Sequence, residues 1–173
     1  MSFGAVHIPT VETERLTLRA PRADDVPAFL RFYASEASRF VGGPLPEWQA
    51  WRYLAGVLGH WTLRGYGRWI VTRRGEDAAL GLVGLHDPID WPEPEIGWMV
   101  WANGRGYGTE AARAARDWAT GALGMTGLCS CIDPANRPSI ALAERLGARP
   151  DGQFEHPGFG RLDIWRHADP VAP

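Results

Sequence analysis

The decapeptide Asn103-Gly104-Arg105-Gly106-Tyr107-Gly108-Thr109-Glu110-Ala111-Ala112 constrains the fold of this chain more than any other segment. It follows an apolar, strand-like run, Ile96-Gly97-Trp98-Met99-Val100-Trp101, and opens a helical pattern over 109–122. A glycine-dense turn from strand to helix leaves backbone N–H groups bare and aims the positive end of a helix dipole at whatever binds there, most often a phosphate. Gly104, Gly106 and Gly108 carry no Cβ, so a ligand can approach the main chain closely. The segment lacks the Gly-Lys-Ser/Thr ending of a P-loop, and the third glycine of a dinucleotide fingerprint would fall at Ala111. A turn that merely caps a helix is the plainer alternative.

The periodicity on either side orders the remaining elements. Residues 12–19 alternate as a strand, and 24–35 form a helix with Val26, Phe29, Leu30 and Tyr33 on one face and Asp24 as N-cap. After the break Gly42-Gly43-Pro44-Leu45-Pro46 comes a helix at 47–63, with Trp48, Trp51, Leu54, Ala55, Leu58 and Trp61 near one face. Strands are expected at 67–73, 79–86 and 95–101, with the proline-rich 87–94 as a surface loop. Strand 128–132, a helix over 138–146 stopped by Gly147, and a hairpin of 151–156 with 160–167 complete the chain. This is one domain over 1–173, core about 10–167, with a mixed sheet and helices on both faces.

Composition excludes several classes. The net charge is −2 with 45% hydrophobic and 22% charged residues, which argues against a general nucleic-acid binder, and no run is long enough to span a bilayer. The start, Met1-Ser2-Phe3-Gly4-Ala5-Val6-His7, lacks a signal-peptide core, so a cytoplasmic location is expected. Cys129 and Cys131 fall on one face of one strand, where a disulfide would be strained, and they read as small buried hydrophobes. The five histidines show no metal-ligand spacing, so no metal is expected.

The glycine segment resembles the acyl-CoA pyrophosphate loop of the GNAT superfamily of N-acetyltransferases, Gln/Arg-x-x-Gly-x-Gly/Ala. Asn103, Gly106 and Gly108 fill the three positions, with Asn for the usual Gln or Arg. The extension Gly-Tyr-x-Thr-Glu-Ala and the start Thr-x-Arg-Leu-x-Leu-Arg at 13–19 look like the RimJ/RimL branch of ribosomal-protein acetyltransferases. Asn136 to Gly147 resembles the second family element, Asn-x-x-Ser/Ala-x-x-Leu-x-x-x-x-Gly-Phe, with Ala148 in place of Phe. The resemblance implies an α/β (α+β) domain whose mostly antiparallel twisted sheet has about seven strands. It also implies transfer of acetyl from acetyl-CoA to a primary amine, by a monomer or homodimer.

Carried over by position, the resemblance gives Arg105, Gly106, Tyr107, Gly108 and Thr109 to the pyrophosphate, and the strand edge at Met99, Val100 and Trp101 to the pantetheine arm. The strands that splay for that arm would be 95–101 and 128–132. Asn136 would bond the arm and Ser139 would sit near its sulfur. The family's usual Tyr acid, four residues beyond Ser139, is Ala143 here, which leaves Ser139 or water as proton donor. For the base, Glu95 is the first candidate; His86, with its ordinary value near neutrality, is the second, and Glu110 a weaker third. Thr109 is expected to cap its helix. Trp48, Trp51, Trp61, Trp91 and Trp101 fall in segments able to line an acceptor cleft, with core packing the default for most of them. The acidic loop carrying Asp87, Asp90, Glu93 and Glu95 offers a field for a cationic amine, either a protein N-terminus or a small molecule. A non-catalytic acyl-CoA sensor and a nucleotide-binding module are the alternative readings.

Overall fold

The computed structural model describes residues 6–102 and 104–169. Asn103, the first position of the loop motif, therefore lies outside the described residues. One eight-stranded sheet organises the chain: β1 (Val11–Glu12), β2 (Leu16–Arg19), β3 (Arg68–Arg73), β4 (Gly81–His86), β5 (Glu95–Val100), β6 (Cys129–Ile132), β7 (Arg149–His156) and β8 (Gly160–Arg166). Their order is β1-β2-β3-β4-β5-β6-β8-β7, and every neighbouring pair is antiparallel except β5 with β6.

The eighth strand arises because 12–19 is two strands. Thr13 closes a tight turn, its amide donating to the Leu16 carbonyl at 2.9 Å and its hydroxyl accepting from the Leu16 amide at 2.9 Å. The first turn of the helix that follows the glycine loop holds this turn in place. The Glu110 carboxylate accepts from the Thr13 hydroxyl at 2.6 Å, the Arg15 amide at 3.0 Å and the Arg15 Nε at 2.7 Å. Glu110 is thus a clamp between elements.

Four helices cover the sheet: α1 (Val26–Tyr33), α2 (Glu47–Arg64), α3 (Tyr107–Leu123) and α4 (Arg137–Arg145). One face is buried under α3 and α4, where Leu18, Val71, Val83, Leu85 and Ile96 meet Ala111, Ala112, Ala115 and Leu142. The small residues of α3 let the helix approach closely. The other face is buried under α1 and α2, where Ile70, Leu82 and Met99 meet Phe29, Phe32, Tyr33, Leu54 and Val57. On α2 the buried positions are Ala50, Leu54, Val57 and Trp61. Trp48, Trp51 and Leu58 are exposed, because the helical period that carries 50, 54, 57 and 61 to the sheet turns them to solvent. Gly147, at φ +79°, stops α4 as expected, with the Ala148 amide on the Ala143 carbonyl at 3.0 Å.

The start of α1 differs from expectation. Asp24 is exposed within a short 3₁₀ turn, Ala23–Asp25, and caps nothing. Its neighbour Asp25 is buried and accepts two parallel bonds from Arg19, each 2.8 Å, plus the Arg22 amide at 2.7 Å. A buried guanidinium stripped of its carboxylate is a large penalty, so Asp25→Ala should cost about 3–5 kcal/mol. Urea unfolding should show it as a lowered midpoint at unchanged slope. A loss below about 1 kcal/mol, the level of an exposed pair, would contradict this assignment.

Candidate functional site

Two parallel strands meet and then part. β5 and β6 are paired only where Glu95 lies opposite Cys129. Beyond that point side chains bridge the gap: the Cys131 amide donates to Glu95 Oε2 at 2.9 Å, and the Ser130 hydroxyl donates to the Ile96 carbonyl at 2.7 Å. The splay expected between 95–101 and 128–132 is present. The main chain of β5 alternates between its two neighbours. Trp101 donates to Leu80 on the β4 side at 3.0 Å, so Met99, two residues earlier, also faces β4. The groups open to the splay are those of Trp98 and Val100. Of the expected edge, Val100 is available, whereas Met99 and Trp101 are engaged by the sheet.

A groove of about 640 Å³ runs from this fork to the start of α3. Met99, Val100, Gly106, Tyr107, Gly108, Thr109, Asn136 and Ser139 line it together; Trp101 and Arg105 do not. The Trp101 indole donates to the Ala79 carbonyl at 2.7 Å, and Arg105 is exposed at the mouth, its carbonyl accepting from Arg15 at 3.0 Å. Gly106, at φ +75°, is the N-cap, and no side chain caps α3. Thr109 is therefore not a cap, and its hydroxyl accepts from Arg145 Nε at 3.2 Å. The first intrahelical amide bond is that of Glu110 to Gly106, so the amides of Tyr107, Gly108 and Thr109 point into the groove without helical partners. Gly108 packs closely: a Cβ there would lie 2.9 Å from Leu142 Cδ1, which would have to move aside. Arg145 and Arg39 flank the groove as cations.

The groove opens onto a smaller cavity of about 80 Å³, lined by Glu95, Gly97, Trp98, Asn136 and Ser139 at one side and by Tyr53, Arg68, His86, Trp91 and Phe159 at the other. Glu95 is buried, which pushes its carboxyl above the usual range against the opposing pull of the Cys131 amide, the Trp91 indole and the Arg68 guanidinium. The Trp91 N–H approaches without completing a hydrogen bond. His86 lies opposite Glu95 in the β4–β5 ladder. Burial, then Arg68 and His60, push its imidazole down to about 2, so it stays neutral near pH 7 and is a poor base. Ser139 Oγ accepts the Trp98 indole N–H at 3.1 Å, which turns the hydroxyl proton away from Trp98. Asn136 caps α4 by accepting the Ser139 amide at 3.3 Å, leaving its NH₂ unengaged by the cap. Ala143 is fully buried against Ile132, Ala148 and Trp165, so a core position occupies the place of the family's Tyr.

The proline-rich loop is docked rather than free. Trp91 packs against His86, Phe154, His156 and Phe159. Its acids are all engaged: Asp87 by Tyr66 and Arg64, Asp90 by His156 at 3.1 Å, and Glu93 by Arg166, which holds that carboxyl below the usual range. These contacts anchor the loop, and of its residues Trp91 and Glu95 line the cavity. Of the five tryptophans expected as cleft candidates, Trp91 alone lines the cavity, and Trp98 joins it. Among the described residues no group of three or more His, Cys, Asp or Glu could hold a metal, and no helix is long and apolar enough to cross a membrane.

The raised carboxyl of Glu95 carries a stability signature. A group whose folded value exceeds its unfolded one stabilises fully below the unfolded value and loses that contribution as pH rises through the folded one. Glu95→Gln keeps the acceptor for Cys131 without the charge. Its thermal midpoint should exceed that of the unsubstituted chain at pH 8, with the gain shrinking toward pH 4. A midpoint lowered at pH 8 would mean that the charge is stabilising where it lies.

Residues 15–149 match the acetyltransferase (GNAT) domain family. A Bacillus licheniformis protein described as an uncharacterized N-acetyltransferase p20 is 25% identical over 150 residues, 83% of this chain and 84% of the relative. Among solved structures, an acetyltransferase from Agrobacterium tumefaciens C58 superposes with a TM-score of 0.87 at 36% identity, covering 94% of this chain and 96% of that one. The RimL ribosomal L7/L12 α-N-protein acetyltransferase, solved in complex with coenzyme A, superposes with a TM-score of 0.74 at 16% identity over 93% of this chain and 98% of that one. The chain belongs to the GNAT acetyltransferase family and is an acetyl-CoA-dependent acyltransferase of RimJ/RimL-like fold.

Proposed function

We propose that this protein transfers acetyl from acetyl-CoA to a primary amine by direct attack, with the fork between β5 and β6 as the reaction site. The observation that carries the reading is the continuity of the groove with the cavity holding Glu95 and Ser139. The amides of Gly106, Tyr107, Gly108 and Thr109 would hold the pyrophosphate, with Arg105 and Arg145 adding charge. The main-chain groups of Trp98 and Val100 would pair with the amide-bearing arm as an added strand does, and Asn136 would contribute its NH₂. Met99 would contribute its side chain to the groove floor.

Bound there, acetyl-CoA supplies an activated acetyl thioester. An amine is protonated near neutrality, its value near ~8 for a chain terminus and ~10 for an alkylamine, so the site must take up a proton. Glu95 is the acceptor of that proton, directly or through one water, and its burial raises it toward the operating pH as general-base catalysis prefers. Ser139 donates a hydrogen bond to the departing sulfur, its oxygen held by Trp98. A thiolate leaves well, so a weak donor suffices.

Glu95→Gln should lower kcat/KM by about 10²–10⁴-fold, the usual contribution of a positioned base. Its calorimetric Kd for acetyl-CoA should stay within about twofold, since no cofactor-binding role falls on this carboxylate. Titration with acetyl-CoA against CoA, ATP and NAD controls, followed by thiol release over an amine panel, tests the whole reading. Acetyl-CoA-selective binding with amine-dependent release is the expected result. Binding that ATP or NAD displaces would overturn it.

A further inference from the structure

Arg19 and Arg68 are the arginines buried within the described residues, at 6% and 8% exposure, and only one has a carboxylate. Arg19 is held by Asp25 in a two-bond pair. Arg68 has no carboxylate oxygen within 4.0 Å of its nitrogens among the described residues. Its guanidinium lies 5.3 Å from the Tyr53 ring centroid, a contact far weaker than a paired carboxylate. Buried charges in proteins are paired, because removing an ion from water is otherwise prohibitive. Arg68 lines the cavity at the fork and also a second one of about 220 Å³, walled by Tyr53, Val57, His60 and His86.

The sheet shows how Arg68 reaches the cavity at the fork. Arg68 lies opposite Gly84, and Gly84 lies opposite Gly97, so the three form one row across β3, β4 and β5. Side chains in one row share a face, and Gly97 adds no side chain at its end of the row. A Cβ at Gly84 would lie 2.5 Å from the Gly67 carbonyl oxygen and 2.8 Å from Arg68 Cα, so the neighbouring main chain closes over that glycine, whereas one at Gly97 would lie 3.3 Å from Glu95 Oε1. Arg68, Gly97 and Glu95 line the 80 Å³ cavity together, which gives it a cation and the proposed base. Around Arg68, the facing titratable groups are Tyr33, Tyr53, His60, His86 and Glu95, of which Glu95 offers negative charge.

We infer that the acceptor is a small amino acid whose carboxylate binds Arg68 while its amine lies by Glu95 and the fork. The inference rests on the acetyl-transfer reading and narrows its acceptor. A protein N-terminus carries no α-carboxylate, and a purely cationic amine leaves Arg68 unmatched. The planar guanidinium suits a carboxylate through two parallel bonds, which a lysine cannot copy.

The test uses α-, β- and γ-amino acids matched with their carboxamides. Binding of each N-acetylated acid and amide to the protein saturated with CoA is followed by tryptophan fluorescence, since Trp91 and Trp98 line the cavity. Thiol release from acetyl-CoA is measured separately with the free amines. At least one acid should be favoured over its amide by tenfold or more in Kd, and in kcat/KM where transfer occurs. That ratio should fall to about one in Arg68→Gln and to an intermediate value in Arg68→Lys, which keeps the cation and controls for folding. Acid-selective binding that is lost in Arg68→Gln, without any transfer, would keep the carboxylate site at Arg68 and fault the acetyl-transfer reading. Transfer to amides and acids alike, or a preference that survives Arg68→Gln, would overturn the inference and leave the reading intact. An Arg68-dependent preference for succinyl-CoA over acetyl-CoA as donor, with no acid preference among the acceptors, would also overturn it, by placing the anion on the acyl chain.

Discussion

The single paired position of β5 and β6 sets up everything at this site. Two parallel strands that stayed in register would satisfy each other's main chain and leave nothing for a ligand. Here pairing stops after Glu95 and Cys129, and the carboxylate of Glu95 takes the amide of Cys131 that a strand carbonyl would otherwise receive. The fork thus stays open at one end with its root satisfied. The same carboxylate that secures the root is exposed to the cavity, which couples the geometry of the fork to the chemistry proposed for it.

The charges of the cavity are held differently from those that serve the fold alone. Asp25 and Arg19 demonstrate how this chain treats a buried charge that serves structure: two short bonds and a further amide. Glu95 and Arg68 are buried without such pairing, within reach of each other's field but not in contact. Unsatisfied buried charge costs stability, and it persists where function requires it. His86, opposite Glu95 in the ladder, is kept neutral by the same burial and the same guanidinium.

Much of this was legible from the sequence, and the limits are physical. The glycine loop, the order of strands and helices and the stop at Gly147 are encoded locally, in periodicity and in residues that tolerate positive φ. The split of 12–19 depends on Thr13 and on Glu110 nearly a hundred residues away, which no local pattern reports. On α2 tryptophans drew the apolar face toward Trp48 and Trp51, though the sheet takes Leu54, Val57 and Trp61. The acidic loop looked like a free field because its partners, His156 and Arg166, come from the distant hairpin. Trp98 and Arg68 were missed for the same kind of reason. Trp98 could have been found from alternation along its own strand, but Arg68 acquires meaning only through the register of three strands.

A crystal structure with CoA bound tests the fork most directly. The account predicts the pantetheine arm lying between β5 and β6, its amides on the main chain of Trp98 and Val100, its pyrophosphate on the amides at the start of α3, and its sulfur near Ser139. CoA seated elsewhere, or a fork closed by β6 pairing along β5 with the cofactor outside it, would contradict it.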